Sequence, residues 1–193
     1  MATKPWIAFF SQTGGEIADL AKSLGKWPDR IYTNERPDRL REIDSRIVEN
    51  GFFTLNNKPT LEDYEEILVY FPEAIITLHG WLRIMPKEVC EKFSIYNGHP
   101  GLITEYPELK GKDPQIRAFE GNYPVMGCVL HKVDAGVDEG KILAEERFNA
   151  FNITEEEMWG VFKDRSLYMW NEFLRKVFSL DIQKPKKFIR NML

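Results

Sequence analysis

Two polar segments of this sequence carry side chains whose types and spacing could act on a carbonyl group. Asn97 and His99 stand two positions apart in the segment Asn97-Gly98-His99-Pro100, and Asp138 lies in a stretch rich in Asp and Gly. The proline favours extended backbone at His99, so the amide and the imidazole project to the same side. An imidazole with a pKa of about 6.5 can give or take a proton at neutral pH. On loops that flank two apolar strands, these groups suit proton-coupled transfer at a carbonyl.

Each of these side chains also has a purely structural interpretation. His99 alone could be a loop histidine bonded to backbone, and Asp138 alone could be a turn residue, because Asp and Gly are common in turns. The combination of both with Asn97 and with the loop around Arg83, in this order along the chain, favours chemistry.

The composition fits one globular domain over residues 1–193. The chain has 43% apolar residues and a formal net charge of -4, with acidic and basic side chains mixed, so we expect no nucleic-acid partner. The basic cluster Lys184 to Lys187 with Arg190 is interpreted as a solvated end. No signal-like segment precedes Trp6, and no apolar stretch approaches the roughly 20 residues that span a bilayer. We therefore expect a cytoplasmic protein with no membrane partner.

The two cysteines have no metal-ligand or redox spacing. Cys90 and Cys128 form neither a CxxC nor a CxxH pattern and sit among apolar residues. We expect both to be buried thiols in a reducing compartment, and we expect no metal site.

Apolar runs that alternate with helical patterns predict an α/β fold. We expect a doubly wound, mostly parallel sheet with an antiparallel addition near the C-terminal part. Strands are predicted at residues 6–10, 30–33, 52–55, 74–78, 94–96, 125–133 and 141–148. Helices are predicted at residues 16–24 and 36–49, from 61 onward, around 115–119 and after Thr154. Ligands of open parallel sheets bind beyond the carboxyl ends of strands, so the loop from His79 to Pro86 is a candidate wall of a site.

Three segments resemble the folate-dependent formyltransferase family. They run from His79 to Phe93, from Asn97 to Leu102 and from Gly127 to Leu143, in the family's order and approximate spacing. Within the family, the likeness is strongest to the phosphoribosylglycinamide (GAR) formyltransferases. The resemblance implies the formyltransferase fold and an enzyme that transfers a formyl group from 10-formyltetrahydrofolate to an amine.

The resemblance also implies roles for individual residues. Asn97 and a protonated His99 would stabilise the oxyanion of the tetrahedral intermediate, and Asp138 would hold His99 or an ordered water. The folate would lie between two loops, in contact with Leu82, Arg83, Ile84, Met85, Asp134, Ala135 and Val137. Without the resemblance, Leu82, Ile84 and Met85 would be interpreted as core.

The acceptor side of the predicted site is less regular. The resemblance implies substrate contacts for Ser11, Gln12, Thr13, Gly14, Gly80, Pro100 and Asp164. The loop from Ser11 to Gly15 would hold a phosphate with its N–H groups, but it departs from the family's usual Gly-Ser/Thr-Asn form. A plain helix-capping turn therefore stays open, and the alignment of Asp164 with a ribose-binding glutamate could slip by one helical turn.

Three further departures bear on the identity of the amine. Gly98 replaces a bulkier apolar residue, Gly101 replaces a frequent serine, and the stretch from Lys110 to Gln115 lacks the usual histidine. GAR is the first acceptor we expect, and the alternative is an amino sugar linked to a nucleotide. A binding module that has lost the chemistry is a third interpretation, disfavoured by Asn97, His99 and Asp138 together. These motifs do not specify an oligomeric state.

Two other histidines are predicted to be structural. His131 lies on an apolar strand, where the family also tends to have a histidine, and we interpret it as a hydrogen-bonded core residue. His79 stands at a strand end beside Gly80 and is expected to order the folate loop.

Overall fold

The computed structural model describes residues 4–180, so the basic cluster from Lys184 to Arg190 lies outside the described residues. A seven-stranded sheet forms the centre of the molecule. Its strands are β1 (Trp6–Phe10), β2 (Arg30–Thr33), β3 (Phe53–Thr54), β4 (Ile75–His79), β5 (Ser94–His99), β6 (Val125–Lys132) and β7 (Ile142–Asn149). The helices are α1 (Gly15–Leu24), α2 (Ser45–Asn50), α3 (Leu61–Leu68), α4 (Lys87–Lys92), α5 (Pro114–Glu120) and α6 (Glu155–Val177).

The order of the strands confirms the predicted doubly wound sheet with an antiparallel addition. The strands lie in the order β3-β2-β1-β4-β5-β6-β7. The pairs from β3 through β5 are parallel, whereas β6 pairs antiparallel with both β5 and β7. Among the described strands, β6 alone runs against the others.

Successive side chains of β1 point to alternate faces of the sheet, and all of them are apolar, which explains why helices cover both faces. Ile7 and Phe9 pack on one face with Tyr64 of α3, and Ala8 and Phe10 pack on the other with Ile17 of α1. All six side chains are almost fully buried. Burying a large apolar side chain contributes about 1.5 to 3 kcal/mol, so a strand that is apolar on both faces fits only the centre of such a sandwich.

The structure corrects the helix predicted at residues 36–49. This stretch forms a 3-10 helix at Pro37–Glu42, an extended residue at Ile43, and the short helix α2. Asp44 is the N-cap of α2, and its carboxylate accepts a hydrogen bond from the Arg46 N–H. A capping Asp stabilises a helix start better than a helix interior, which is why the charged stretch divides there.

A second correction concerns the position of the predicted catalytic side chains. Asn97 and His99 lie on β5 itself and not on a loop, because β6 pairs with β5 as far as His99. The prediction of a brief strand at 94–96 was wrong in length, while Asp138 does lie in the loop between β6 and β7.

The long helix α6 covers the back of β5. Thr154 and Glu157 form a capping box that begins α6, as the sequence predicted. Trp170 of α6 is fully buried beneath Gly98, where an added Cβ would lie only 2.6 Å from the indole nitrogen. Cys90 and Cys128 are both free and buried, as predicted. Within residues 4–180, no helix has the length and apolar character needed to cross a membrane.

Candidate active site

The predicted catalytic side chains line an open cavity at the carboxyl ends of the central strands. The cavity has a volume of about 680 Å³ and is lined by residues that follow β1 and β4, by the end of β5 and by the loop after β6. The strand order reverses between β1 and β4, and such a switch point is where ligands bind in open α/β sheets.

Asn97, His99 and Asp138 meet at one wall of this cavity. Asn97 and His99 occupy alternate positions of β5 and therefore share a face of the sheet. Asp138 reaches them from its loop, with Oδ2 at 3.2 Å from His99 Nδ1. The Asp138 backbone has a φ of 52°, a left-handed conformation that Asp tolerates better than most residues.

Both ring nitrogens of His99 face hydrogen-bond acceptors. Nδ1 lies beside the Asp138 carboxylate, and Nε2 lies 2.9 Å from the carbonyl oxygen of Leu109. Burial lowers the pKa of His99, and this effect outweighs the charge of Asp138 and the Leu109 carbonyl, so the net pKa lies below the ordinary value. The doubly protonated ring is the form that satisfies both contacts, because only then do both nitrogens donate.

The Asp138 carboxylate is surrounded by donors. Burial raises its pKa, but His131, the charge of His99 and the Gly111 N–H outweigh that effect, and the net pKa lies below the ordinary value. The Gly111 N–H donates to Oδ2 at 2.9 Å. The carboxylate therefore stays ionised at neutral pH and can hold a charged imidazole beside it.

His131 joins this cluster, although the sequence analysis assigned it only a structural role. It stands directly opposite Asn97 in the β5–β6 register, and its Nε2 lies 3.1 Å from Asn97 Nδ2. Its Nδ1 lies 3.1 Å from the Lys132 carbonyl oxygen. The same Nε2 lies 3.4 Å from Asp138 Oδ1, so His131 connects the Asn97 amide with the Asp138 carboxylate. The signal available in the sequence was that His131 is a polar residue on an apolar strand. That strand, β6, pairs with β5.

Part of the cavity lining is apolar and exposed. Leu82, Ile84 and Val137 are 52%, 71% and 47% exposed, whereas Met85 is buried. The interpretation of these side chains as part of the hydrophobic core therefore holds for Met85 and was wrong for Leu82 and Ile84. Neighbouring apolar side chains left open around a cavity suit a flat apolar ligand.

Polar contacts fix the backbone of this part of the lining. Ser11 Oγ donates to Asn34 at 2.7 Å and accepts the Leu82 N–H at 2.9 Å. The Arg83 guanidinium donates to the backbone and side-chain oxygens of Asn57. Ser11 and Arg83 thus shape the loop through contacts within the protein.

The structure brings together some of the predicted contact residues and not others. The cavity lining includes Asn97, His99, Pro100, Asp138, Gln12, Gly80, Leu82, Arg83, Ile84, Met85, Asp134 and Val137. It does not include Ser11, Thr13, Gly14, Ala135 or Asp164, and Asp164 lies on an exposed face of α6. Lys112, Asp113 and Gln115 complete the lining on the side of Pro100, and the Gln115 side-chain oxygen is buried there without a partner among the described residues.

The loop before α1 combines N–H groups with nearby carboxylates. Gly14 is the N-cap of α1 and makes no side-chain cap, which leaves helix N–H groups available. Asp44 Oδ2 lies close to Gly15, 3.4 Å from the point where an added Cβ would stand. Glu16 stands in the first turn, where its carboxylate contacts His79 Nδ1 at 2.6 Å. His79 thus holds the start of α1 against the end of β4.

Comparisons with known proteins agree with this geometry. A family model described as formyl transferase matches residues 34–165. The trifunctional purine biosynthetic protein adenosine-3 of Bos taurus is 31% identical over 107 residues, which are 54% of this chain and 10% of that protein. Methionyl-tRNA formyltransferase of Fervidobacterium nodosum is 29% identical over 142 residues, which are 73% of this chain and 37% of that protein. The chain therefore spans less than half of the length of either relative.

A solved structure shows the same fold. The phosphoribosylglycinamide formyltransferase from Campylobacter jejuni matches with a TM-score of 0.75 and 19% identity, over 92% of this chain and 100% of that chain. Asn97, His99 and Asp138 all fall inside the stretch that the family model matches, which is well over half of the chain. The chain belongs to the formyl transferase family.

Proposed function

We propose that this protein transfers a formyl group from 10-formyltetrahydrofolate to the primary amine of a small acceptor. The observation that carries the proposal is the meeting of Asn97, His99 and Asp138 in an open cavity whose lining also includes exposed apolar side chains. Leu82, Ile84 and Val137 offer the exposed apolar surface that a pterin ring would cover.

The side chains divide the chemistry of this transfer among them. The amine nitrogen bonds to the formyl carbon, and the bond from that carbon to the folate nitrogen breaks. Asn97 Nδ2 and the charged His99 ring are placed to stabilise the oxyanion that forms between these events. Asp138 favours the charged form of His99 against the effect of burial, and it accepts the hydrogen bond that orients the ring. The proton that the amine loses is the one that the folate nitrogen gains, with His99 as the relay.

GAR is the first acceptor to test, in line with the GAR formyltransferase structure that this chain matches. One observation favours an amino sugar linked to a nucleotide as the second candidate. Of residues 11–14, Gln12 alone lines the cavity, so the loop offers the acceptor an amide rather than a row of N–H groups.

The test measures tetrahydrofolate release with GAR and, in parallel, with nucleotide-linked amino sugars. His99→Ala should lower the rate by about 10²- to 10³-fold while leaving the binding of a non-reactive folate analogue intact. Lys132→Gln is the control, because Lys132 is exposed beside His131 and does not line the cavity. Folate binding without formyl transfer to any amine would contradict the proposal and favour the binding module.

A further inference from the structure

Arg117, on the outer side of α5, fixes the turn that contacts both catalytic residues of the His99–Asp138 pair. Its guanidinium donates to the carbonyl oxygens of Glu108 at 2.6 Å, of Lys110 at 2.7 Å and of Lys112 at 3.1 Å. These carbonyls belong to alternate residues of one short segment, which we call the 108–112 turn. A guanidinium carries five N–H donors in a planar fork, and it can therefore hold several fixed acceptors at once.

Leu109 and Gly111 lie between the residues that Arg117 binds, and their backbone groups contact His99 and Asp138. The Leu109 carbonyl oxygen lies 2.9 Å from His99 Nε2. The Gly111 N–H donates to Asp138 Oδ2 at 2.9 Å. One face of the 108–112 turn is thus bound by Arg117, and its other backbone groups bind His99 and Asp138.

The packing around the turn leaves little room for these contacts to form in another way. An added Cβ on Gly101 would lie 2.8 Å from both His99 Nε2 and the Pro114 side chain, so the start of α5 sits close against the imidazole. The Leu109 side chain is buried in the core, which anchors the middle of the turn. The Lys110 carbonyl bound by Arg117 and the Gly111 N–H bound by Asp138 belong to one peptide group, and the Glu108 carbonyl belongs to the peptide group that precedes Leu109. Arg117 therefore limits the rotation of both groups.

We propose that Arg117 is a positioning residue for formyl transfer, which acts on His99 and Asp138 through the 108–112 turn. This inference rests on the proposed function for its effect on turnover, but its structural claim can be tested without turnover. Arg117 does not itself line the cavity, and it contacts the lining through the Lys112 carbonyl oxygen. Its charge adds a small lowering of the His99 pKa, and its main contribution is the geometry of the Leu109 carbonyl and the Gly111 N–H.

Arg117→Met and Arg117→Lys separate geometry from charge. We expect Arg117→Met to lower kcat by about 10- to 100-fold with little change in the KM of the formyl donor, because small misplacements of catalytic groups have effects of that size. Arg117→Lys keeps the charge but cannot reach three carbonyls in a plane, so it should stay impaired. Full activity in Arg117→Lys would overturn the inference and assign Arg117 an effect of charge alone.

Hydrogen exchange provides the readout that a general loss of stability would not give. The Gly111 amide should exchange faster in Arg117→Met, while the Val129 amide in β6 should keep its protection. Arg165→Met is the matched control, because Arg165 is an exposed arginine that pairs with Glu146 at 3.2 Å on the surface. It should leave both the exchange of Gly111 and the rate unchanged.

The outcomes for the inference and for the proposed function are distinct. If the wild-type protein transfers no formyl group to any amine, the proposed function fails, and Gly111 exchange in Arg117→Met still decides whether Arg117 fixes the turn. If Arg117→Met loses activity while Gly111 exchange is unchanged, the inference is overturned and the proposed function stands.

Discussion

His99 is the residue on which the proposed chemistry depends, and its environment has opposing effects on its pKa. Burial lowers the pKa and is the largest effect, whereas acceptors at both ring nitrogens favour the charged form. The Asp138 carboxylate opposes burial more strongly than the Leu109 carbonyl does. Both acceptors are already in place to stabilise the ring when it becomes protonated, without reorganisation of solvent.

Replacing the carboxylate should therefore change the titration of His99. In Asp138→Asn, we expect a lower His99 pKa than in the wild-type protein, because the negative charge that raises it is gone. We also expect a rate loss of at least about 10²-fold. An NMR titration of the His99 ring, assigned with His99→Gln, measures the first effect.

Asp134→Asn serves as the control for this titration. Asp134 lies in the same loop, and its side chain accepts the Gly136 N–H at 3.0 Å. An unchanged His99 pKa in Asp138→Asn would contradict the role assigned to the carboxylate.

At the residue scale, the sequence predicted which three polar side chains meet better than it predicted the contacts that surround them. Asn97, His99 and Asp138 carry their chemistry in their residue types, and their joint presence is visible in the chain. The roles of His131 and Leu109 were not visible, because one depends on strand register and the other on a backbone carbonyl. Such contacts are made by tertiary structure and leave no mark on residue type.

At the scale of elements, the contact between α6 and β5 explains an unusual glycine. Gly98 faces away from Asn97 and His99 on the strand, and the space behind it is filled by Trp170. The absence of a larger apolar residue at position 98 is therefore a matter of packing. Gly98 also lines the cavity, and its bearing on the choice of acceptor stays a prediction.

This packing predicts a coupled pair of substitutions. Gly98→Ala should lower the free energy of unfolding by about 1 to 3 kcal/mol, because it overpacks the contact with Trp170. In a Trp170→Leu background, the same change should be less destabilising, since the smaller side chain leaves room. Urea unfolding of the four proteins measures the coupling.

Gly160→Ala is the control on the same helix. No atom lies within 4 Å of a Cβ added there, so this change should stabilise the protein by about 0.5 to 1 kcal/mol through helix propensity. Equal effects of Gly98→Ala in both backgrounds would show that Trp170 does not restrict position 98.

The elements themselves were predictable wherever a periodic apolar pattern was strong. β1, β4, α1 and the start of α6 appear where the pattern and the capping residues place them. The error at 36–49 arose because the periodicity of Leu40, Ile43 and Ile47 continues through a point where Ile43 is extended. The error in the length of β5 arose because pairing with β6 continues the strand past its apolar residues.

At the scale of the whole molecule, buried and paired charges set how stability depends on pH. Burial raises the pKa of Glu16, Asp19 and Asp138, but their cationic or hydrogen-bonding partners outweigh it and the net pKa is lowered. Hydrogen bonds from Arg46 lower the pKa of Asp44. Such carboxylates stabilise the fold above their ordinary pKa, and that contribution is lost as pH falls through the lower folded-state value.

We therefore expect the free energy of unfolding to fall steadily on acidification from pH 7. The contribution of His99 is lost first, below about pH 6.5, because the unfolded chain takes up that proton before the folded one does. The carboxylates follow below about pH 4. Urea unfolding at a series of pH values measures this, and higher stability at pH 5 than at pH 7 would contradict it.

The contact between α1 and α6 has a consequence for how the protein is made. Ser166 donates to Glu16, and Trp170 closes the back of β5 behind Gly98. During synthesis, one face of β5 therefore stays uncovered until α6 has emerged from the ribosome. The cavity is supported by α6 only when almost all of the described chain has emerged. A nascent chain that stops short of Trp170 should therefore bind chaperones and should not bind folate.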